Sequence, residues 1–299
     1  MIPNNETLIL DILAELKLLD NKVNVIKSTP STPSSVNNTS HNNSTNKPTT
    51  SQPTSQPANS SHNNSSSSNS NSSPQPTSDS GVQSGMYGQI VGNSACSIYQ
   101  SANENSARLG TIQIGQRFIV SSVQGDWYQI SAPQSGYIPI SFTSVQTTPI
   151  TSVSQNLLKF TESWEGYREY PYTDSGDNWT VGIGHCTFGQ KPAPETFAQA
   201  WAQMVQTFVQ IVGTIQPYIN KYNYTQYQVD AIADFCFNLG CGSFEGSDLL
   251  VDAANCQNNN TIVGDFTAWS YCDGQLLQGL YRRRVAESNM FLYGEYQDN

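Results

Sequence analysis

Two carboxylates, Glu165 and Asp174, lie nine residues apart, and the hydroxyl of Thr180 follows six residues later. Breaking a glycosidic bond without a cofactor requires one carboxyl group to protonate the leaving oxygen. A second must activate water or attack the sugar directly. Glu165 and Asp174 are the best source of such a pair in this chain, and Thr180 could hold a water molecule without adding charge. Each residue also has a plainer reading: a solvated carboxylate at a helix end, an Asp that forms the turn before Ser175-Gly176, and a β-forming Thr. Trp164, Tyr172 and Asn238 are the candidate substrate contacts. Asn238 sits in Phe237-Asn-Leu-Gly, where Gly240 would also serve to end a helix.

These groups need rigid elements to hold them apart across a groove. Leu157, Leu158, Thr161 and Trp164 share one helical face, so a helix ends at Glu165. Residues 170–185 read as a hairpin that carries Asp174 and Thr180. Phe197, Trp201, Met204, Val205, Phe208, Val212 and Ile215 recur at helical spacing. Thr225 followed by Gln228 is a capping box that opens a further helix through Val229, Ile232, Ala233 and Cys236. Residues 154–299 therefore form an α+β domain, mainly helical with one small sheet. Ahead of it, residues 86–148 hold five β-rich runs, at 88–91, 110–112, 117–123, 127–130 and 136–140, which imply a small all-β barrel. Residues 28–85 are almost entirely Ser, Thr, Asn, Pro and Gln, a tether with too little apolar surface to fold.

At the start, Ile2, Ile9, Leu16 and Val23 alternate with Ile12, Leu19 and Ile26 in a heptad pattern over residues 1–27. A stripe this complete calls for a partner: another copy of the chain, with Ile at both core positions leaning toward a trimer, or a larger assembly. Docking of this helix on its own protein is the other reading.

The formal charge of −10 disfavours association with nucleic acid or an anionic membrane. No run approaches the length of a membrane span. Asp11, Glu15 and Lys17 interrupt the only apolar stretch near the start, so no cleaved signal peptide is expected. The six cysteines have no zinc-ligand spacing, and His185 is the one histidine outside the tether, so neither a metal nor a cofactor is expected. The thiols read as buried or as disulfides whose pairing the spacing does not reveal.

The stretch Trp164-Glu-Gly-Tyr-Arg-Glu-Tyr-Pro-Tyr-Thr-Asp, continued by Thr180-Val-Gly-Ile-Gly-His, resembles the catalytic signature of phage-type lysozymes. The segment from Thr225 to Gly242, with its Phe-Asn-Leu-Gly, and Gly279-Leu-Tyr-Arg-Arg-Arg-Val-Ala-Glu are similar to that family's central and C-terminal helices. The resemblance covers residues 154–297. It implies hydrolysis, with inversion, of the β-1,4 bond between N-acetylmuramic acid and N-acetylglucosamine in bacterial peptidoglycan. By the same resemblance Glu165 is the general acid, Asp174 the base or charge stabiliser, and Thr180 the positioner of water. Gly115-Gln-Arg-Phe-Ile-Val and Gly125-Asp-Trp-Tyr-Gln-Ile resemble bacterial SH3-like domains, which implies a wall-binding module. Cys96-Ser-Ile-Tyr-Gln-Ser departs from that family's pattern in a region tied to ligand recognition. The expected whole is a virion-associated muramidase used at host entry, acting in the extracellular or periplasmic space. The alternatives are a non-catalytic wall- or receptor-binding spike, and a free endolysin for lysis. His185 is expected to pair with a carboxylate, and Arg282–Arg284 to serve packing and salt bridges.

Overall fold

Alternating apolar side chains from residue 87 onward build a run of short strands, and the 3.6-residue period takes over at residue 155. The computed structural model describes residues 81–173, 177–187, 189–272 and 274–299. The heptad segment, the tether up to residue 80 and Asp174 lie outside the described residues.

The strands are β1 (Tyr87–Ile90), β2 (Cys96–Tyr99), β3 (Arg108–Ile112), β4 (Arg117–Gln124), β5 (Trp127–Ala132), β6 (Gly136–Pro139) and β7 (Thr143–Val145). All five expected runs are present, and β2 and β7 add to them. They form one antiparallel sheet in the order β3-β2-β6-β5-β4-β1-β7. Among the described residues no ladder joins β3 to β7, so the sheet stays open where a closed barrel was expected. β7 has only three residues and already pairs with β1, while Arg108 and Leu109 at the start of β3 face solvent. The inward side chains of alternate positions, Ile98, Ile112, Phe118, Val120, Tyr128, Ile130 and Ile138, make the core of this part.

The rest of the chain is α1 (Gln155–Glu165), β8 (Arg168–Thr173), β9 (Trp179–Gly182), β10 (His185–Thr187), α2 (Phe197–Tyr222), α3 (Gln226–Leu239), α4 (Cys241–Glu245), α5 (Asp248–Ala254), α6 (Asn259–Thr267), β11 (Tyr271–Cys272), β12 (Gln275–Leu276) and α7 (Gln278–Tyr293). The expected hairpin is a three-stranded antiparallel sheet, β10-β9-β8. α3 is the central element: every residue from Gln228 to Cys236 is buried, and Phe235 packs edge-on against Phe266 and Trp269. Thr196 caps α2 reciprocally with Gln199, and Gln228 accepts from the Thr225 N–H at 3.1 Å as the expected capping box of α3 requires. All six cysteines are free thiols. No helix among the described residues is long and apolar enough to cross a membrane.

Polar side chains weld the large sheet to the helices. Arg117 of β4 lies between the rings of Tyr87 and Tyr224, 4.8 Å and 4.4 Å from their centroids. It donates to Ala253 O at 3.1 Å and to Tyr222 O. Gln89 of β1 donates to Leu292 O at 3.1 Å and accepts from the Tyr227 hydroxyl. Gln116 reaches Cys256 O at 3.2 Å, and Asn259 returns a bond to Ile114 O at 2.7 Å.

Candidate active site

Glu165 owes its position to the way α1 starts and stops. The Ser154 hydroxyl caps the helix by accepting from Leu157 N at 3.2 Å, and Leu157, Leu158 and Phe160 bury one face. Gly166, at φ 67°, ends the helix while its N–H bonds back to Glu162 O at 2.8 Å. The last helical side chain therefore projects at the edge of the three-stranded sheet.

The glycines of Gly182-Ile-Gly184-His185 explain how that sheet approaches so closely. Both have φ of +66°, a conformation L side chains rarely adopt. A Cβ on Gly184 would sit 2.7 Å from Glu165 Oε2 and 2.9 Å from its Cδ. A Cβ on Gly182 would sit 2.5 Å from Glu195 Oε2 and 2.8 Å from the Ala200 Cβ. One glycine admits the Glu165 carboxylate, and the other admits Glu195 and the start of α2. His185 then pairs with Glu195 as expected, its Nδ1 3.5 Å from Oε1, with the Gln203 amide 2.8 Å from the same ring nitrogen.

Thr180 lies on the central strand β9, between Tyr172 of β8 and Cys186 of β10, and is buried. Thr173, the last described residue before Asp174, pairs with Trp179. The Arg168 guanidinium covers the Tyr172 ring at 4.2 Å. Trp164 packs its ring beside Phe160 and donates from Nε1 to Gln297 O at 3.2 Å, so its polar edge is taken by the C-terminal segment. The Asn238 side-chain oxygen accepts from Arg284 Nη2 at 3.2 Å.

The residues that sequence reasoning did not assign to the site lie beneath Glu165. Arg283 of α7 donates from Nη1 to Glu165 Oε1 at 2.5 Å. Its other edge meets Asp234 of α3, Nε to Oδ2 at 2.9 Å and Nη2 to Oδ1 at 3.1 Å. Thr161 donates to Asp234 Oδ1 at 2.6 Å. Arg284 donates to Glu287 Oε1 at 2.5 Å. Burial alone would push the Asp234 carboxyl up, but the charge and hydrogen bonds of Arg283, with those from Glu287 and Thr161, hold it below the usual carboxylate range. Burial pushes Glu287 well up, and Arg284 only partly offsets that. Arg283 and Arg284 thus face the carboxyl groups of Glu165, Asp234 and Glu287, so each buried arginine has an acidic partner. The salt-bridge role expected of the arginine run holds for Arg283 and Arg284. A signal for Asp234 was available: Asp230 and Asp234 fall one turn apart in a stretch otherwise apolar enough to be buried all round. Among the described residues no group of three or more His, Cys, Asp or Glu side chains is placed to hold a metal ion.

A helix-terminal carboxylate wedged against a glycine turn of a small sheet, and backed by a central helix, defines a lysozyme-like catalytic domain as a class. The phage lysozyme family matches residues 162–287. The endolysin of Acyrthosiphon pisum secondary endosymbiont phage 1 is 31% identical over 143 residues, covering 46% of this chain and 97% of that protein. The chain belongs to the phage lysozyme family. The endolysin of Bacillus phage B103 is 30% identical over 150 residues, 48% of this chain and 55% of that protein. The chain thus spans about half the length of the Bacillus phage relatives it matches. Among solved structures, the muramidase domain of SpmX from Asticaccaulis excentricus is 27% identical, covers 48% of this chain and 99% of its own, and has a TM-score of 0.43.

Proposed function

We propose that the protein is a muramidase that cleaves the β-1,4 bond between N-acetylmuramic acid and N-acetylglucosamine in bacterial peptidoglycan, with inversion. Glu165 protonates the leaving oxygen. Asp174 activates or stabilises from the opposite side of the sugar, and the Thr180 hydroxyl holds the attacking water. Tyr172, Trp164 and Asn238 are the contacts proposed for the glycan. The observation that carries this reading is the seat of Glu165: one carboxylate oxygen held by Arg283, the other against Gly184, beside the strand that bears Thr180.

The test is hydrolysis of purified peptidoglycan with identification of the new reducing ends. Glu165→Gln should lower the rate by about 10³-fold while circular dichroism stays that of the parent. Equal rates from the two proteins would remove Glu165 as the acid.

The large sheet, with the Gly115 and Gly125 motifs on β4 and its turn, supports a wall-binding role of the SH3-like kind. The heptads over residues 2–26 and the tether support attachment to a virus particle, as a trimer or through a particle protein. Protein recovered from purified particles rather than from lysate alone would bear this out.

A further inference from the structure

Arg283 carries five N–H donors in one plane, and Asp234 takes two of them along one edge. A guanidinium held by such a fork cannot rotate, so the direction of its remaining Nη1 is fixed, and Nη1 meets Glu165. Asp234 is itself fixed from the other side. Thr161, one turn before Glu165 on α1, donates to the same Oδ1 that accepts from Arg283. α1 is therefore pinned twice to the buried ionic pair, once through Thr161 and once through the functional carboxylate.

Among the described residues, the groups facing this pair come from three helices. From α7 come Arg283, Arg284 and Glu287; from α1, Glu165 and Thr161; from α3, Asn238, which engages Arg284. Glu287 Oε1 lies 3.6 Å from Arg283 Nε, behind the fork. Asp234 and Arg283 are almost wholly excluded from water, so solvent does not screen their charges.

We propose that Asp234 is a positioning residue for Glu165: it holds Arg283 by a two-point clamp and takes up part of its charge, so that the arginine orients the acid without fully claiming it. The proposal rests on Glu165 being the general acid. Asp234 touches neither substrate nor reacting atoms and acts through Arg283, with Thr161 fixing it to α1.

The full-length protein and its variants are assayed on soluble peptidoglycan strands across pH. Asp234→Asn keeps the shape of the side chain and deletes its charge. With that negative charge gone, less of the Arg283 charge is balanced from behind, and Glu165 ionises more readily. The expected result is a kcat about tenfold lower at neutral pH, a KM within about twofold, and an alkaline limb of the pH–rate profile about one unit lower. Asp230→Asn is the control on the same helix. That carboxylate is bound by Ser154, Gln226 and Tyr296, so its loss should lower the melting temperature and leave the alkaline limb in place. An Asp234→Asn protein that behaves the same way, with an unmoved limb, overturns the proposal. If Asp234→Asn does not fold, Thr161→Val decides: a kcat two- to threefold lower at unchanged KM supports the clamp, and unchanged kcat overturns it. Loss of the muramidase reading itself is visible separately, as wild-type protein that leaves the strands intact or Glu165→Gln that cuts them normally.

Discussion

A single methyl group at position 184 would be enough to displace the proposed acid. It would collide with the Glu165 carboxylate at 2.7 Å on a backbone already at positive φ, and the neighbours on both sides are fixed. Gly184→Ala should fold with reduced stability and lose about 100-fold or more of its hydrolytic rate, because an ångström of misplacement is costly in a preorganised site. A rate near wild type in a folded Gly184→Ala protein would show that Glu165 does not depend on this approach. Glu165 and Thr180 stand out in the sequence as candidates because a short, continuous motif holds them. The partners of Glu165 were not. Arg283 lies 118 residues away in the chain, and Asp234 lies 49 residues from Arg283, so only folding brings the three together. Their types gave a hint: acidic residues at buried helical spacing and an arginine run both call for buried counter-charges.

Long helices announced themselves through period and caps, as α1, α2 and α3 show. The short ones did not. α5 and α6 have seven and nine residues, too few for a 3.6-residue repeat to stand out. β2 and β7 are three or four residues in polar surroundings, and the expected hairpin gained a third strand because Gly182 and Gly184 turn the chain back at positive φ. The packing of α6 on α5 has a measurable cost. Burial, followed by the charges of Asp252 and Asp248 on α5, pushes the Asp265 carboxyl up to about 6, and its Oδ2 is buried without a hydrogen-bond partner. An acid raised in the folded state contributes fully below its unfolded value, near 4, and loses that contribution as pH climbs to about 6. Asp265→Asn should therefore raise the melting temperature at pH 7–8 and leave it nearly unchanged at pH 4. A gain of equal size at both values would show that the charge of Asp265 is not the cause.

At the scale of the whole molecule, the sequence suggested a wall-binding module strung before a catalytic one. The described structure instead has the two welded through side chains that composition could not flag. Arg117 read as the start of a strand, yet its guanidinium is spent on two backbone carbonyls and the Tyr224 ring of the helical part, with the Tyr87 ring of β1 on its other side. Targets of that kind leave no trace in residue type. Arg117→Ala strands those carbonyls and removes both ring contacts, so it should destabilise the protein by about 3 kcal/mol. Wild-type protein from residue 81 should melt in one cooperative step by calorimetry, and Arg117→Ala should melt earlier, with the sheet and helices beginning to separate. A wild-type trace with two resolved steps would show that the weld is weak.

That weld also sets how such a molecule could work a surface. Were the sheet to grip the wall as proposed, the Glu165 site would be presented at one offset and one angle, like a blade on a fixed bracket rather than on a swivel. Each grip would then expose only the few glycan bonds within that footprint, and the pace of successive cuts would follow how quickly the sheet lets go.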